Sequence, residues 1–145
     1  MKRDLWLATM AAVAVGAAAA GAWAADAGPP EAKAPNAVQH EMRELTLAMQ
    51  VTLNAIANNT LGDVTPAIHK VHGARDLTEA ALKNKLVVLP KNGDKLAAFI
   101  KEDDAFHNEL VKLVKAARAN DLTAATRQFG VVMNGCTACH SKYRF

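Results

Sequence analysis

Cys136-Thr137-Ala138-Cys139-His140, within the last ten residues of the chain, decides how everything before it is read. It contains both of the cysteines present, followed directly by a histidine. C-x-x-C-H is the attachment signal for c-type haem. The two thiols become thioethers to the haem vinyl groups, and the imidazole ligates the iron from one side. On a helix these three side chains stand at i, i+3 and i+4 and project from one face, so one turn can anchor a haem twice and ligate it once. Cys136 and Cys139 are therefore predicted to hold one covalent haem c, with His140 as proximal iron ligand. A redox-active dithiol would open a helix, where the dipole lowers a thiol pKa, whereas this motif lies near the end of a long helical pattern. A structural zinc site needs four ligands; the chain has no second cysteine pair, and its other histidines are distant in sequence.

The other end of the chain has the pattern of an export signal. Lys2 and Arg3 precede an apolar, alanine-rich run from Leu5 to Gly21, and Ala22-Trp23-Ala24 is a small-x-small cleavage site. Residues 1–24 are expected to be a signal peptide cleaved after Ala24. The run is near the lower limit for a membrane span, and no span is expected after cleavage. Haem c is attached after export, so both signals predict a periplasmic protein. The remaining chain, ~120 residues, is one domain with room for a real core. Its formal charge of +3 drops to +2 as Lys2, Arg3 and Asp4 leave. With no strong basic block, nothing points to a nucleic-acid partner.

Residues 25–35, rich in Ala, Pro and Gly, read as a loose leader. Four helical patterns follow in residues 36–145, with no convincing strand. The first is capped by Asn36 with Gln39 three positions on, and its apolar stripe is Val38, Met42, Leu45, Met49, Leu53 and Ile56. The second opens at Thr65-Pro66 and runs to about Lys85, with a weak point at Gly73. Leu86-Val87-Val88-Leu89-Pro90 reads as an apolar connector packed on the bundle. The third follows Asn92-Gly93-Asp94 and has the seam Leu96, Phe99, Phe106, Leu110, Leu113 and Ala117. The fourth is capped by Asp121 and aligns Leu122, Ala125, Phe129, Met133, Cys136, His140 and Tyr143. Its core stripe runs into the haem-binding residues, so the haem belongs to the core, with Phe129 and Tyr143 expected to pack on the porphyrin. The fold class is all-α, an antiparallel up-down-up-down four-helix bundle.

Gly135 to Arg144, at the end of a four-helix chain, together with Ala124 to Phe129 before it, resembles the class II cytochromes c, the group of the cytochromes c′ and the low-spin cytochromes c556. Class I cytochromes c carry the motif near the N-terminus instead. The resemblance implies a left-handed bundle holding one haem, a periplasmic location, frequent homodimers, and either electron transfer or gas binding. Cys136 and Cys139 match the thioether cysteines, His140 the proximal ligand, and Arg144 a basic residue near it. Members often carry an arginine by the haem propionates early in the first helix; here that position is Val38, leaving Arg43 as a substitute. A homodimer through the first two helices would use Leu47 and Val51, off the main stripe.

The second axial position sets the function. Thioether methionine raises the reduction potential. The candidates are His40, Met42, Met49, His69, His72, His107 and Met133. In an up-down-up-down bundle the end of helix four is level with the start of helix one, which favours Met42 or His40. Met49 lies about 10 Å further along, and Met133 shares a helix with His140. His69 and His72 start helix two at the opposite end. His107, in the middle of helix three, is expected roughly 15 Å or more from the required level; these last three histidines are expected on partly exposed faces. Met42 lies on the apolar stripe and His40 does not, so Met42 is the predicted distal ligand. It also matches the position where low-spin class II members carry methionine and five-coordinate members a bulky apolar residue. A methionine on an apolar stripe is otherwise a core residue.

Two functions follow. With His140 and Met42 as ligands the protein is a one-electron carrier serving periplasmic redox partners. With Met42 only packing over the iron, it is a five-coordinate binder of nitric oxide or carbon monoxide. An enzymatic role such as a peroxidase is not expected, because no evident acid–base residue falls at the level of the pocket unless His40 is repositioned into it.

Overall fold

The structure is a computed structural model describing residues 36–144; the signal segment, the leader and Phe145 lie outside the described residues. These residues form four helices: α1 (Ala37–Asn58), α2 (Val64–Lys83), α3 (Leu96–Arg118) and α4 (Leu122–Tyr143). No strand occurs among the described residues. α1 packs on α2, α2 on α3, α3 on α4, and α4 on α1. Three contacts fix the antiparallel sense of neighbours. The Thr78 hydroxyl, late in α2, donates to the Ala37 carbonyl at the start of α1 (3.0 Å). Arg75 in α2 reaches Asp103 early in α3 (2.7 Å), and Lys142 at the end of α4 reaches Glu102 (2.9 Å). The bundle is thus the expected up-down-up-down arrangement.

The helix ends follow local chemistry. Asn36 and Gln39 form a reciprocal capping box, with the Gln39 N–H donating to Asn36 Oδ1 (2.9 Å) and the Asn36 N–H to Gln39 Oε1 (3.1 Å). α1 ends on Asn59 in the left-handed conformation, which asparagine tolerates better than most residues. Asp121 caps α4 by accepting the Ala124 N–H (2.9 Å). The start of α2 differs from the sequence reading. A 3-10 turn over Leu61–Asp63 leads into Val64, so Thr65 lies inside the helix and no side chain caps it. Burial of Leu61, Val64 and Ile68 fixes this start by packing instead. α2 stops at Lys83, two residues before the expected end, and continues unbroken through Gly73.

The core has two parts. The main cluster joins Leu45, Ala48, Ala55, Ile68, Leu110, Leu113 and Val132 from all four helices. A smaller one, at the α4 C-terminus, gathers Leu82, Leu89, Phe99 and Tyr143. The connector after α2 only half fulfils the expectation of packing: Leu89 is buried, but Leu86 and Val88 are exposed.

The α1 stripe is also shifted. Its buried face is Glu41, Leu45, Ala48, Met49, Thr52 and Ala55; it shares Leu45 and Met49 with the apolar set read from the sequence and otherwise turns toward Glu41, Ala48, Thr52 and Ala55. The buried Thr52 hydroxyl is satisfied by the Ala48 carbonyl (2.8 Å). Leu53 is exposed at 57%, and Met42 is only half-buried. Met42, Met49 and Leu53 line a cavity, although Met49 is itself buried in the main core cluster and Met42 packs against it.

Candidate functional site

A cavity of about 410 Å³ opens between α1, α3 and α4. On one side stand Cys136, Cys139, His140 and Arg144, together with Phe129 and Met133 from the preceding turns of α4. α1 contributes Met42, Leu45, Met49 and Leu53, and α3 contributes Phe99, Asp103 and Phe106. The sequence-predicted Cys136, Cys139, His140, Arg144, Phe129 and Met42 are therefore brought to one cavity. Met133, which shares the wall with His140, is 43% exposed, a large value for a residue of the expected core seam and explained by the space in front of it.

Gly135, immediately before Cys136, permits the close approach of α3 to this wall. A Cβ at this position would lie 2.7 Å from Phe106 Cδ2. The chain thus keeps its bulk out of the turn that bears the thiols and spends it on the ring opposite.

The electrostatics suit attachment through two thiols and ligation by a neutral imidazole. Burial raises the Cys136 thiol pKa, and burial together with the charges of Asp103 and Glu102 pushes Cys139 up to about 11. Both sulfurs are protonated near neutrality. Burial, aided by Arg144, lowers His140, which favours the neutral imidazole that binds iron. Two cysteine sulfurs and an imidazole on one half-buried helical face, bordering a largely apolar cavity of ligand size, fit a covalently attached haem.

Other residues lie elsewhere. Tyr143 is not among the cavity-lining residues; it is buried in the smaller core, edge-on to Phe99 with ring centroids 5.1 Å apart. Val38 packs against that same core. Arg43, His40 and His69 are exposed, and His72 is half-buried.

His107 is the clearest correction. It is not on a partly exposed face but 4% exposed, with Nε2 3.1 Å from Glu41 Oε1. Its level also differs from the expected one. α3 starts well before the level of the first turn of α1, so the twelfth residue of α3 meets the fifth of α1. Asp103, one turn earlier, lines the cavity, so an acid–base group does lie at the pocket. Burial raises the Asp103 pKa, opposed by its hydrogen bond to Arg75.

The family model described as cytochrome C′ matches residues 78–144, from late α2 to the end of α4. A cytochrome c′ of Alcaligenes xylosoxydans xylosoxydans is 44% identical over 48 residues. That match covers 33% of this chain and 38% of the relative, so it spans well under half of the relative's length. No solved structure matches the chain significantly. Among the described residues no helix is long and apolar enough to cross a membrane. Four helices and a C-x-x-C-H turn on the last of them agree with these two matches, which make the stretch from late α2 to the end of α4 similar to the cytochromes c′, a family that binds covalent haem c.

Proposed function

We propose that the protein is a periplasmic mono-haem cytochrome of the five-coordinate kind, binding nitric oxide or carbon monoxide. Cys136 and Cys139 would hold the haem and His140 would supply the iron's one protein ligand, with Met42, Leu45 and Met49 lining the same cavity from α1. Bound haem supplies an iron that takes an axial ligand and changes oxidation state. The residues do the rest: the apolar wall excludes water and favours small uncharged ligands, Phe129 and Phe106 restrict the ring, and Arg144 offers positive charge at its edge. The observation carrying this reading is the largely apolar cavity facing His140, in a chain whose matches are both named cytochrome c′.

A second reading keeps Met42 as the sixth ligand and makes the protein an electron carrier. Its support is that Met42 edges the same cavity as His140. The optical spectrum of the ferrous protein separates the two: a broad high-spin spectrum supports the gas binder, and a sharp low-spin α-band supports the carrier.

Self-association through α1 and α2 is part of the proposal, because Leu47, Val51 and Leu77 are exposed apolar residues on those helices. Sedimentation at high micromolar concentration tests it; a monomer there contradicts it.

A further inference from the structure

One cluster of polar groups is used neither by the haem nor by the helix ends. Glu41 of α1 and Asp103 and His107 of α3 bring one donor atom each to within 4.8 Å of one another. His107 Nε2 is 3.1 Å from Glu41 Oε1 and 3.6 Å from Asp103 Oδ1. Glu41 is 1% exposed, as deeply buried as Ala55 and Leu61 of the core.

Such burial needs compensation, because a carboxylate removed from water costs several kcal/mol unless paired and hydrogen-bonded. Compensation is incomplete here. Arg75 donates from Nε to Asp103 Oδ2 (2.7 Å), the oxygen turned away from His107. Arg75 also pairs with Asp104 on the surface. Glu41 Oε2 and His107 Nδ1 are buried with no hydrogen-bond partner. With a neutral imidazole, Glu41, Asp103 and Arg75 leave one uncompensated negative charge in the bundle. Oε2 is bonded to the same carbon as Oε1, so a cation seated against Nε2 and Oε1 is within reach of both oxygens.

We propose that Glu41, Asp103 and His107 form a second metal site, for a divalent transition ion of the zinc type. An imidazole nitrogen with two carboxylates suits Zn²⁺. It does not suit Mg²⁺ or Ca²⁺, which prefer an all-oxygen shell. Arg75 on the outer oxygen of Asp103 holds that carboxylate with Oδ1 turned inward, the second-shell arrangement that orients metal-bound carboxylates. The His107 ring is positioned by packing, edge-on to Phe106 (5.8 Å) and beside His72 (5.2 Å). Asp103 has 16% side-chain exposure and also lines the haem cavity. It is both the route in and the boundary between the two sites. The proposal is independent of the second axial position of the haem.

The rival is a closed ion-pair network completed by a proton on His107, and zinc loading of the holoprotein decides between them. The covalent haem stays attached in guanidinium, so the protein can be stripped with chelator, refolded with ZnCl₂ or MgCl₂, desalted and assayed for metal per haem. One zinc and no magnesium per haem is expected. Glu41→Gln and Asp103→Asn should each weaken zinc binding by more than about 10-fold, the least that losing even an outer-shell partner typically costs, while His40→Asn, at an exposed histidine, should not change it. Wild-type protein that retains no zinc overturns the proposal in favour of the ion pairs. Zinc retained equally by Asp103→Asn overturns it in favour of adventitious surface sites. Should Glu41→Gln not fold, the wild-type ratio and Asp103→Asn still decide.

Discussion

Tyr143 stands edge-on to Phe99, ring centroids 5.1 Å apart and planes at 87°, and so ties the last turn of α4 to the first turn of α3. The tie falls three residues after His140. The Tyr143 carbonyl also accepts the Lys91 N–H (3.2 Å), and the Lys142 carbonyl accepts from the Asn92 side chain (2.7 Å). The turn that carries the imidazole is therefore held by the α2–α3 connector and by an aromatic pair, not by the cavity.

Tyr143→Ala should cost about 3–5 kcal/mol of stability, as large-to-small core changes of aromatic residues do. Tyr143→Phe should cost far less, because the edge-to-face contact survives. Chemical denaturation of the three holoproteins measures this. A small loss for Tyr143→Ala would show that the α4 end is held by other contacts.

Gly135→Ala tests the approach of α3 to the motif. The new methyl has to displace the Phe106 ring, which leads into the cavity. Overpacking of this kind costs typically about 1–3 kcal/mol. The Soret band should also shift, since Phe106 borders the haem. A wild-type spectrum with wild-type stability would mean that the ring has free room elsewhere.

Much of this architecture is legible in the sequence. The Asn36–Gln39 box, the Asp121 cap and the α4 seam ending in Cys136, Cys139 and His140 are local signals, and each fixes an element without knowledge of its neighbours. What escapes is set by the relative offset of helices. His107 and Glu41 look like surface residues because each is polar on its own helix; only the stagger of α3 against α1 brings them together out of water. A signal for Glu41 did exist: it stands four residues before Leu45 and seven before Ala48, in phase with the face that proves buried. Tyr143 packs on Phe99 instead of lining the cavity because the seam changes partners within one turn past His140.

Cys136→Ala with Cys139→Ala removes both attachment points. The cavity would then lack its filler, and the exposure of Met133 and Leu53 shows how much apolar surface depends on it. Little folded protein should be recovered. A stable haem-free bundle with native helix content by circular dichroism would refute this dependence.

Met42→Ala and Met49→Ala separate ligation from packing. In the five-coordinate reading Met42→Ala leaves the iron high-spin and raises the affinity for carbon monoxide by uncovering the wall. Met49, 8% exposed, contributes packing, and its truncation should cost about 2–5 kcal/mol without changing spin state. Conversion of a low-spin parent to high spin by Met42→Ala would instead make Met42 the sixth ligand.

Titration of the ferrous wild-type protein with carbon monoxide, followed in the Soret region, bears most directly on the central claim. The account predicts a high-spin starting spectrum and saturable binding of one carbon monoxide per haem, with no ligand to displace first. A sharp low-spin α-band that persists under saturating carbon monoxide would contradict it and leave the protein an electron carrier.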